Sequence, residues 1–214
     1  MSWLAILIKI EIYVSFQQKN LSYNYLVLAL SWIAYFILHS VLASTKVKIY
    51  VKQVSTKFYR YYRLIYTLFA TISLIFILWF QYSFKSPLLL NSLMLKYISF
   101  LLLVIPGFAI MFVSIFKYFK LLSGIRSIYL ATPPAELKLN GIHKYVRHPL
   151  YLGTLLFVWG LFFIFPFLNN LIAVVAITMY VLVGIKFEEK KLVKEFGKDY
   201  TEYMKKVPGL IPKL

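Results

Sequence analysis

No cysteine occurs among the 214 residues, which removes disulfides, thiolate nucleophiles and thiolate metal ligands. Acidic residues are nearly as scarce. Seven Asp and Glu stand against 24 Lys and Arg, giving a formal net charge of +17. The three histidines, His39, His143 and His148, have no acidic neighbour at HExxH-type spacing, so no metal site is expected. There is no GxGxxG, Walker loop or GxSxG elbow, which argues against a nucleotide cradle or an acyl-transfer nucleophile. Tandem repeats, linkers and low-complexity segments are also missing, and residues 1–214 read as a single domain.

Apolar runs dominate what is there. Hydrophobic residues make up 61% of the chain and aromatics 19%, with a mean hydropathy of +0.76. The runs recur too regularly for one soluble core, so the expected fold is an all-α polytopic membrane protein. The basic residues lie between the runs, where anionic lipid headgroups explain them better than nucleic acid does. No obligate protein partner is evident.

A bilayer crossing takes roughly 20 apolar residues. Residues 24–43, 64–80 and 97–116 approach or meet that length, the last despite an internal Ile105-Pro106-Gly107. Residues 150–185 hold two more spans, folded back at Phe165-Pro166-Phe167-Leu168-Asn169-Asn170, where proline and asparagines suit a tight hairpin. Five transmembrane helices are predicted. The first stretch, WLAILIKIEIYV, is short and carries Lys9 and Glu11, so residues 1–20 are expected to form an interfacial segment.

Charge sets the orientation. Twenty of the 24 basic residues fall between the first and second spans, between the third and fourth, or after the fifth. Lys9, Lys19, Lys85 and Lys96 are left for the other side. The positive-inside bias places the twenty, and the C-terminus, on the cytoplasmic side, and the expected location is a bacterial or archaeal inner (plasma) membrane. Six of the seven acidic residues share that side. Beyond Phe187, Leu192, Phe196, Tyr200 and Tyr203 recur every three or four residues, predicting an amphipathic helix that Gly197 can kink. Thr132-Pro133-Pro134 stops any helix in the loop before the fourth span.

Polar chemistry gathers in GIHKYVRHPLYLGTLL, residues 141–156. Pro149 suits the first turn of the fourth span, which puts Arg147 and His148 at its positive end, where a carboxylate is favoured. The pair either anchors that helix at the headgroups or builds a site. Glu188 and Glu189, at the same end of the fifth span, favour a site. Adjacent helical residues point about 100° apart, so one glutamate faces inward while the other meets lysines or headgroups. Tyr145, Tyr151, Tyr200 and Tyr203 supply rings and hydroxyls, as an interfacial aromatic belt also would. His39 and Ser40 form a second polar island, open between helix packing and substrate contact. Gly153 permits a close approach, most simply by a neighbouring helix.

The order GIHKYVRHPLYLG, helical hairpin, FEEKKLVKEFGKDYTEY and VPGLIP resembles the integral membrane methyltransferases related to isoprenylcysteine carboxyl methyltransferase. The resemblance covers residues 141–212 and implies S-adenosylmethionine bound on the cytoplasmic side, within a core spanning residues 121–214. It implies a lipophilic or small acceptor arriving from the membrane. His143, Tyr145, Val146, Arg147, His148, Pro149, Tyr151, Glu188 and Glu189 become cofactor-pocket residues, with Arg147, Glu189 and His143 the catalytic candidates. Glu189 is expected nearer the reactive end than Glu188. In the N-terminal half, HSVLASTKVK and YRYYRLIYTLF are similar to NnrU-like proteins and to bacterial methanethiol S-methyltransferases. The latter often carry a glutamate-arginine pair before the second span, where this chain has Tyr61, Tyr62 and Arg63.

The implied reaction is S-adenosylmethionine-dependent methyl transfer, to a thiol or a prenylcysteine-like carboxylate ahead of a phospholipid amine. Arg147 is expected to clamp a carboxylate of cofactor or acceptor through its planar fork. Glu189 or His143 is expected to promote deprotonation of a thiol or amine. A transporter or redox accessory protein would instead place polar groups near the bilayer midplane or an axial histidine pair inside the spans.

Because the chain has no cysteine, single cysteines report topology cleanly. An impermeant maleimide should label Lys85→Cys on intact cells and Lys198→Cys only after permeabilisation. Protection of Lys85→Cys on intact cells would overturn the orientation.

Overall fold

The structure is a computed structural model that describes residues 3–122, 137 and 139–212. Thr132-Pro133-Pro134 lies outside the described residues. Helix α1 runs from Trp3 to Ala43, 41 residues without a break, so the expected boundary near residue 20 is no interruption in the helix. Its span is Asn20–Ala43. The side chain of Ser44 accepts from the Val47 amide and starts α2, Thr45–Val54, which buries no residue. The Ser55 side chain does the same for the Phe58 amide at the start of α3, Thr56–Tyr82. Both serines satisfy amides that a helix start leaves open.

After the loop through Ser86 to Leu90, Ser92 caps α4, Leu93–Ser99. A π-helical turn, Phe100–Val104, then leads into α5, Ile105–Leu122. Pro106 has no N–H to return to the preceding turn, and the wider turn sits directly ahead of it. The Ile105-Pro106-Gly107 signal therefore changes helical register without ending the span. Helix α6 is Pro149–Ile164, α7 is Leu168–Phe196 and α8 is Lys198–Lys206. Gly197, at φ +58°, separates the last two, as its position in the tail suggested.

Among the described residues, four helices are long and apolar enough to cross a membrane: Asn20–Ala43, Thr56–Tyr82, Leu93–Phe116 and Leu168–Phe196. The protein is all-α and polytopic. The 16-residue α6 is shorter and packs along α5.

Glycine makes that packing possible. A Cβ on Gly153 would lie 2.8 Å from the Met111 amide nitrogen and 2.9 Å from the Gly107 carbonyl oxygen, and one on Gly107 only 2.6 Å from the Phe157 nitrogen. Gly160 is closed off by Val104, while its carbonyl accepts from Ser99 Oγ at 3.0 Å. Gly153 thus serves helix contact, and the two backbones meet with nothing between them.

At the opposite end from Pro149, a buried polar network joins α1, α3 and the α6–α7 turn. Gln81 donates to Asn170 Oδ1 at 2.8 Å and accepts from the Trp32 indole at 3.3 Å. Asn169 donates to the Gln81 carbonyl at 2.7 Å, and Asn170 to the Phe165 carbonyl at 2.8 Å. The asparagines hold the hairpin, and they also fasten it to α3. The chain before α4 joins the same turn through Leu89 N–H to the Pro166 carbonyl and Leu168 N–H to the Pro87 carbonyl. Leu28, Trp32 and Ala173 form the adjoining apolar core.

Gly153→Leu should lower stability by about 1–3 kcal/mol, since the added atoms meet backbone. Gly184→Ala, whose Cβ would find only the Tyr151 hydroxyl at 3.9 Å, should cost nothing measurable. Thermal unfolding in detergent checks both.

Candidate functional site

Gly141 opens the site with φ +69°, a backbone state that suits glycine. One 3₁₀ turn, Gly141–Lys144, follows, and the amides of Tyr145 and Val146 both donate to the Ile142 carbonyl. The chain then extends through Arg147 and His148 to Pro149, the first residue of α6. The C-terminal segment runs beside this extension. Arg147 N–H donates to the Pro208 carbonyl at 2.9 Å and His148 N–H to the Gly209 carbonyl at 3.1 Å.

Helix α7 carries Glu188 and Glu189 past its apolar part, alongside the start of α6. Arg147 Nε and Nη2 donate to Glu189 Oε1 at 2.9 and 2.6 Å. Its Nη1 donates to the Met204 carbonyl at 3.1 Å and to the Val207 carbonyl. Four of the five guanidinium donors are therefore engaged within the protein. His148 is buried, and its Nε2 donates to the same Glu189 oxygen at 3.0 Å. Its Nδ1 lies 3.9 Å from Glu188. The Arg147 and Glu189 side chains are only 12% and 17% exposed, whereas Glu188 is 45% exposed.

Helix α8 closes the arrangement from the tail side. Tyr203 donates to the His143 carbonyl at 2.6 Å, and His143 Nδ1 lies 3.2 Å from the Arg147 carbonyl. Tyr200 is 2% exposed, yet its hydroxyl has no hydrogen-bond partner among the described residues. Burial, with the Glu189 charge adding to it, pushes that phenol up to about 12, so it stays protonated through the physiological range.

The sequence-predicted residues separate into groups. Arg147, His148 and Glu189 meet directly. Tyr151 joins at the margin, its ring 5.7 Å from that of His148. Val146 and Pro149 are buried, and His143 meets the cluster through its carbonyl, on Tyr203, and its ring Nδ1, beside the Arg147 carbonyl. Tyr145 is 68% exposed and stays outside the cluster. Sequence reasoning missed the Met204, Val207, Pro208 and Gly209 carbonyls. Backbone groups leave no trace in residue identity, and the V-P-G turn was their only signal.

Residues 95–199 match the family model described as phospholipid methyltransferase. The chain is 33% identical over 156 residues to a methanethiol S-methyltransferase from Crocosphaera subtropica, covering 69% of this chain and 59% of that protein. It is 31% identical over 191 residues to methanethiol S-methyltransferase 1 of Bradyrhizobium diazoefficiens, covering 81% and 62%. A protein-S-isoprenylcysteine O-methyltransferase from Schizosaccharomyces pombe is 38% identical over 76 residues, 34% of this chain and 31% of that protein. The chain thus spans about three fifths of the length of the first two relatives. No solved structure matches it.

The family match contains every clustered side chain from His143 to Glu189 but stops short of Tyr203 and the carbonyls that Arg147 engages. Ahead of the match, Tyr62 is buried and donates to the Leu42 carbonyl at 2.8 Å, tying the start of α3 to the end of α1.

Replacing Arg147 by Lys keeps the charge and loses the fork. It should destabilise the protein by about 2–4 kcal/mol, because Glu189 and two carbonyls lose donors in a mostly buried place. Limited proteolysis should then release the tail after Lys205 or Lys206. Wild-type resistance in Arg147→Lys would show that the guanidinium does not hold the tail.

Proposed function

We propose that this chain is an S-adenosylmethionine-dependent methyltransferase acting on a small lipophilic, thiol-type acceptor at the membrane. The observation that carries the reading is the Arg147–Glu189–His148 cluster, built where α6 begins and α7 leaves its apolar part, inside the segment that matches a methyltransferase family. The relatives named as methanethiol S-methyltransferases support a thiol.

The chemistry of the cluster fits such a cofactor. S-adenosylmethionine carries an ammonium and ribose hydroxyls. Glu188 is a carboxylate with exposed capacity, and the unpartnered Tyr200 hydroxyl is a buried group in want of a bond. We assign holding roles to Glu188, Glu189, His148, Tyr151 and Val146, within a core of residues 121–214 in one domain. When bound, S-adenosylmethionine supplies an electrophilic methyl group on a sulfonium.

The chain's own part is to position groups and to handle one proton. Arg147 is already committed to Glu189 and the tail, so we assign it positioning in place of a clamp on a ligand carboxylate. Glu189 accepts from Arg147 and His148 at a single oxygen and is a poor base in that state. Glu188, less enclosed, is the better candidate to take the proton of a thiol. His143 then contributes to the pocket wall through both its carbonyl and its ring Nδ1. Methyl transfer needs alignment and exclusion of water more than acid chemistry, which suits a site roofed by α8.

We infer a fifth span in the shorter α6, which would put Pro149 and Glu188 on one side, and the twenty-to-four split of basic residues supports a cytoplasmic assignment of that side. Anionic lipids would surround that face. A phospholipid amine acceptor is a second reading, favoured by the description of the matching family.

Purified protein should bind S-adenosylmethionine in calorimetry without added metal; no heat at millimolar cofactor would overturn the assignment. Methyl transfer from the labelled cofactor should be measured to an alkanethiol, a prenylated cysteine, a phosphatidylethanolamine and a fatty carboxylate. With the thiol, Glu188→Gln should lose about 10²-fold in kcat at neutral pH. That deficit should shrink as pH rises and the thiol ionises unaided. An equal loss at every pH would remove Glu188 from the proton-transfer role.

A further inference from the structure

A second polar feature lies away from the cluster. Between α1 and α3 is a cavity of about 270 Å³, walled by residues that include Tyr35, Leu38, His39, Phe69, Ala70 and Phe76. Its wall is almost wholly apolar, and Leu38, Phe69 and Phe76 are exposed on the bundle surface, so it opens toward lipid. His39 Nδ1 is buried with no hydrogen-bond partner among the described residues. The hydroxyls of two lining serines are taken up within their own helices, Ser31 by the Val27 carbonyl and Ser73 by the Phe69 carbonyl. Among the described residues that nitrogen is left as a buried polar atom without a partner in hydrocarbon surroundings.

An unpaired buried nitrogen is costly there, and a lipid tail has nothing to offer it. The occupant that fits has an apolar body and one hydrogen-bonding head. A cavity of this size, just below the range for drug-sized ligands, takes a small one. The lining offers no charged side chain, which favours a neutral molecule.

His39 also faces the helix that carries the acidic pair. Its ring lies 6.3 Å from that of Tyr180, edge to face, and Ser40 Oγ donates to the Tyr180 hydroxyl at 3.4 Å. Tyr180 precedes Glu188 by two turns of α7, about 12 Å at 1.5 Å per residue. One turn beyond Tyr180, Gly184 leaves its side of α7 open toward the Tyr151 hydroxyl, and the Tyr151 ring lies 5.7 Å from that of His148. From these positions we propose that the α1–α3 cavity is the membrane-side binding site for the small neutral thiol acceptor, with His39 Nδ1 accepting its S–H hydrogen bond before it moves along α7 to the cluster. This deepens the methyltransferase reading and rests on it for the identity of the acceptor.

The test uses an alkanethiol bearing an alkyl diazirine, photolysed on the full-length protein in nanodiscs and mapped by mass spectrometry. The cysteine-free chain cannot trap the probe as a disulfide. Label should fall on Leu38, Phe69 and Phe76, be displaced by free hexanethiol, and disappear in Ala70→Phe, which fills the cavity. Ser73→Leu serves the same purpose should Ala70→Phe fail to fold. His39→Phe should weaken displacement about tenfold, the worth of one hydrogen bond, and raise KM for the thiol similarly, while calorimetric affinity for S-adenosylmethionine stays unchanged. Label spread over the lipid-facing surface and not displaced by hexanethiol would overturn the proposal, as would unaltered displacement in both His39→Phe and the filled variant. Displaceable label in the cavity of a protein that methylates no acceptor would sustain the binding site and reject the methyltransferase reading.

Discussion

One guanidinium holds together segments that are far apart in the chain. Arg147, at the start of α6, bonds Glu189 on α7 and the Met204 and Val207 carbonyls of the tail. Neither partner would be stable buried alone, because each charge loses hydration that only the other restores. Such a pair contributes little net stability over an apolar replacement, but it strongly penalises any arrangement that separates its members. The positions of His148, Glu188 and α8 follow from it. A lysine in place of Arg147 could not satisfy a carboxylate and two carbonyls from one rigid plane.

The two ends of the bundle solve the same problem differently. At the far end, neutral amides of Gln81, Asn169 and Asn170 satisfy one another and nearby carbonyls, so no charge is buried where the hairpin turns. At the site end the groups are ionic, and one of them, Glu188, remains partly open. Between the ends, α5 and α6 meet through Gly107 and Gly153 with almost no side-chain layer, and Gly160 packs on the π-helical turn ahead of α5. That seam fixes the start of α6 relative to α5 without a hydrophobic driving force, which lipid would not supply. A saturated end is suited to structure, and an end with spare polar capacity is suited to a ligand.

These constraints change the roles of the charged residues from those that spacing suggested. An arginine in a polar motif near a helix start invites the idea of an anion clamp, but here its donors are spent on the protein. The capacity left over lies in Glu188, the Tyr200 hydroxyl and the surroundings of His39. A site with acidic and phenolic capacity and a neutral approach from lipid suits a cationic cofactor and an uncharged acceptor.

The sequence by itself determined the all-α membrane class, the hairpin at Pro166, the start of α6 at Pro149 and the break at Gly197. Each follows from a local rule: apolar length, a missing amide or a positive φ. It also singled out the residues of the cluster, because Arg147, His148, Glu188 and Glu189 are conspicuous in so apolar a chain and topology returns them to one end. Local rules did not reveal that α1 runs unbroken from Trp3, since Lys9 and Glu11 lower hydropathy without preventing a helix. Only the tertiary structure decided which glutamate faces Arg147, because helix phase relative to a neighbour is set by packing. It alone showed that the tail supplies carbonyls, which every residue type carries alike. The open state of His39 likewise emerges only when α1, α3 and α7 are packed, since whether a nitrogen has a partner is a property of its surroundings.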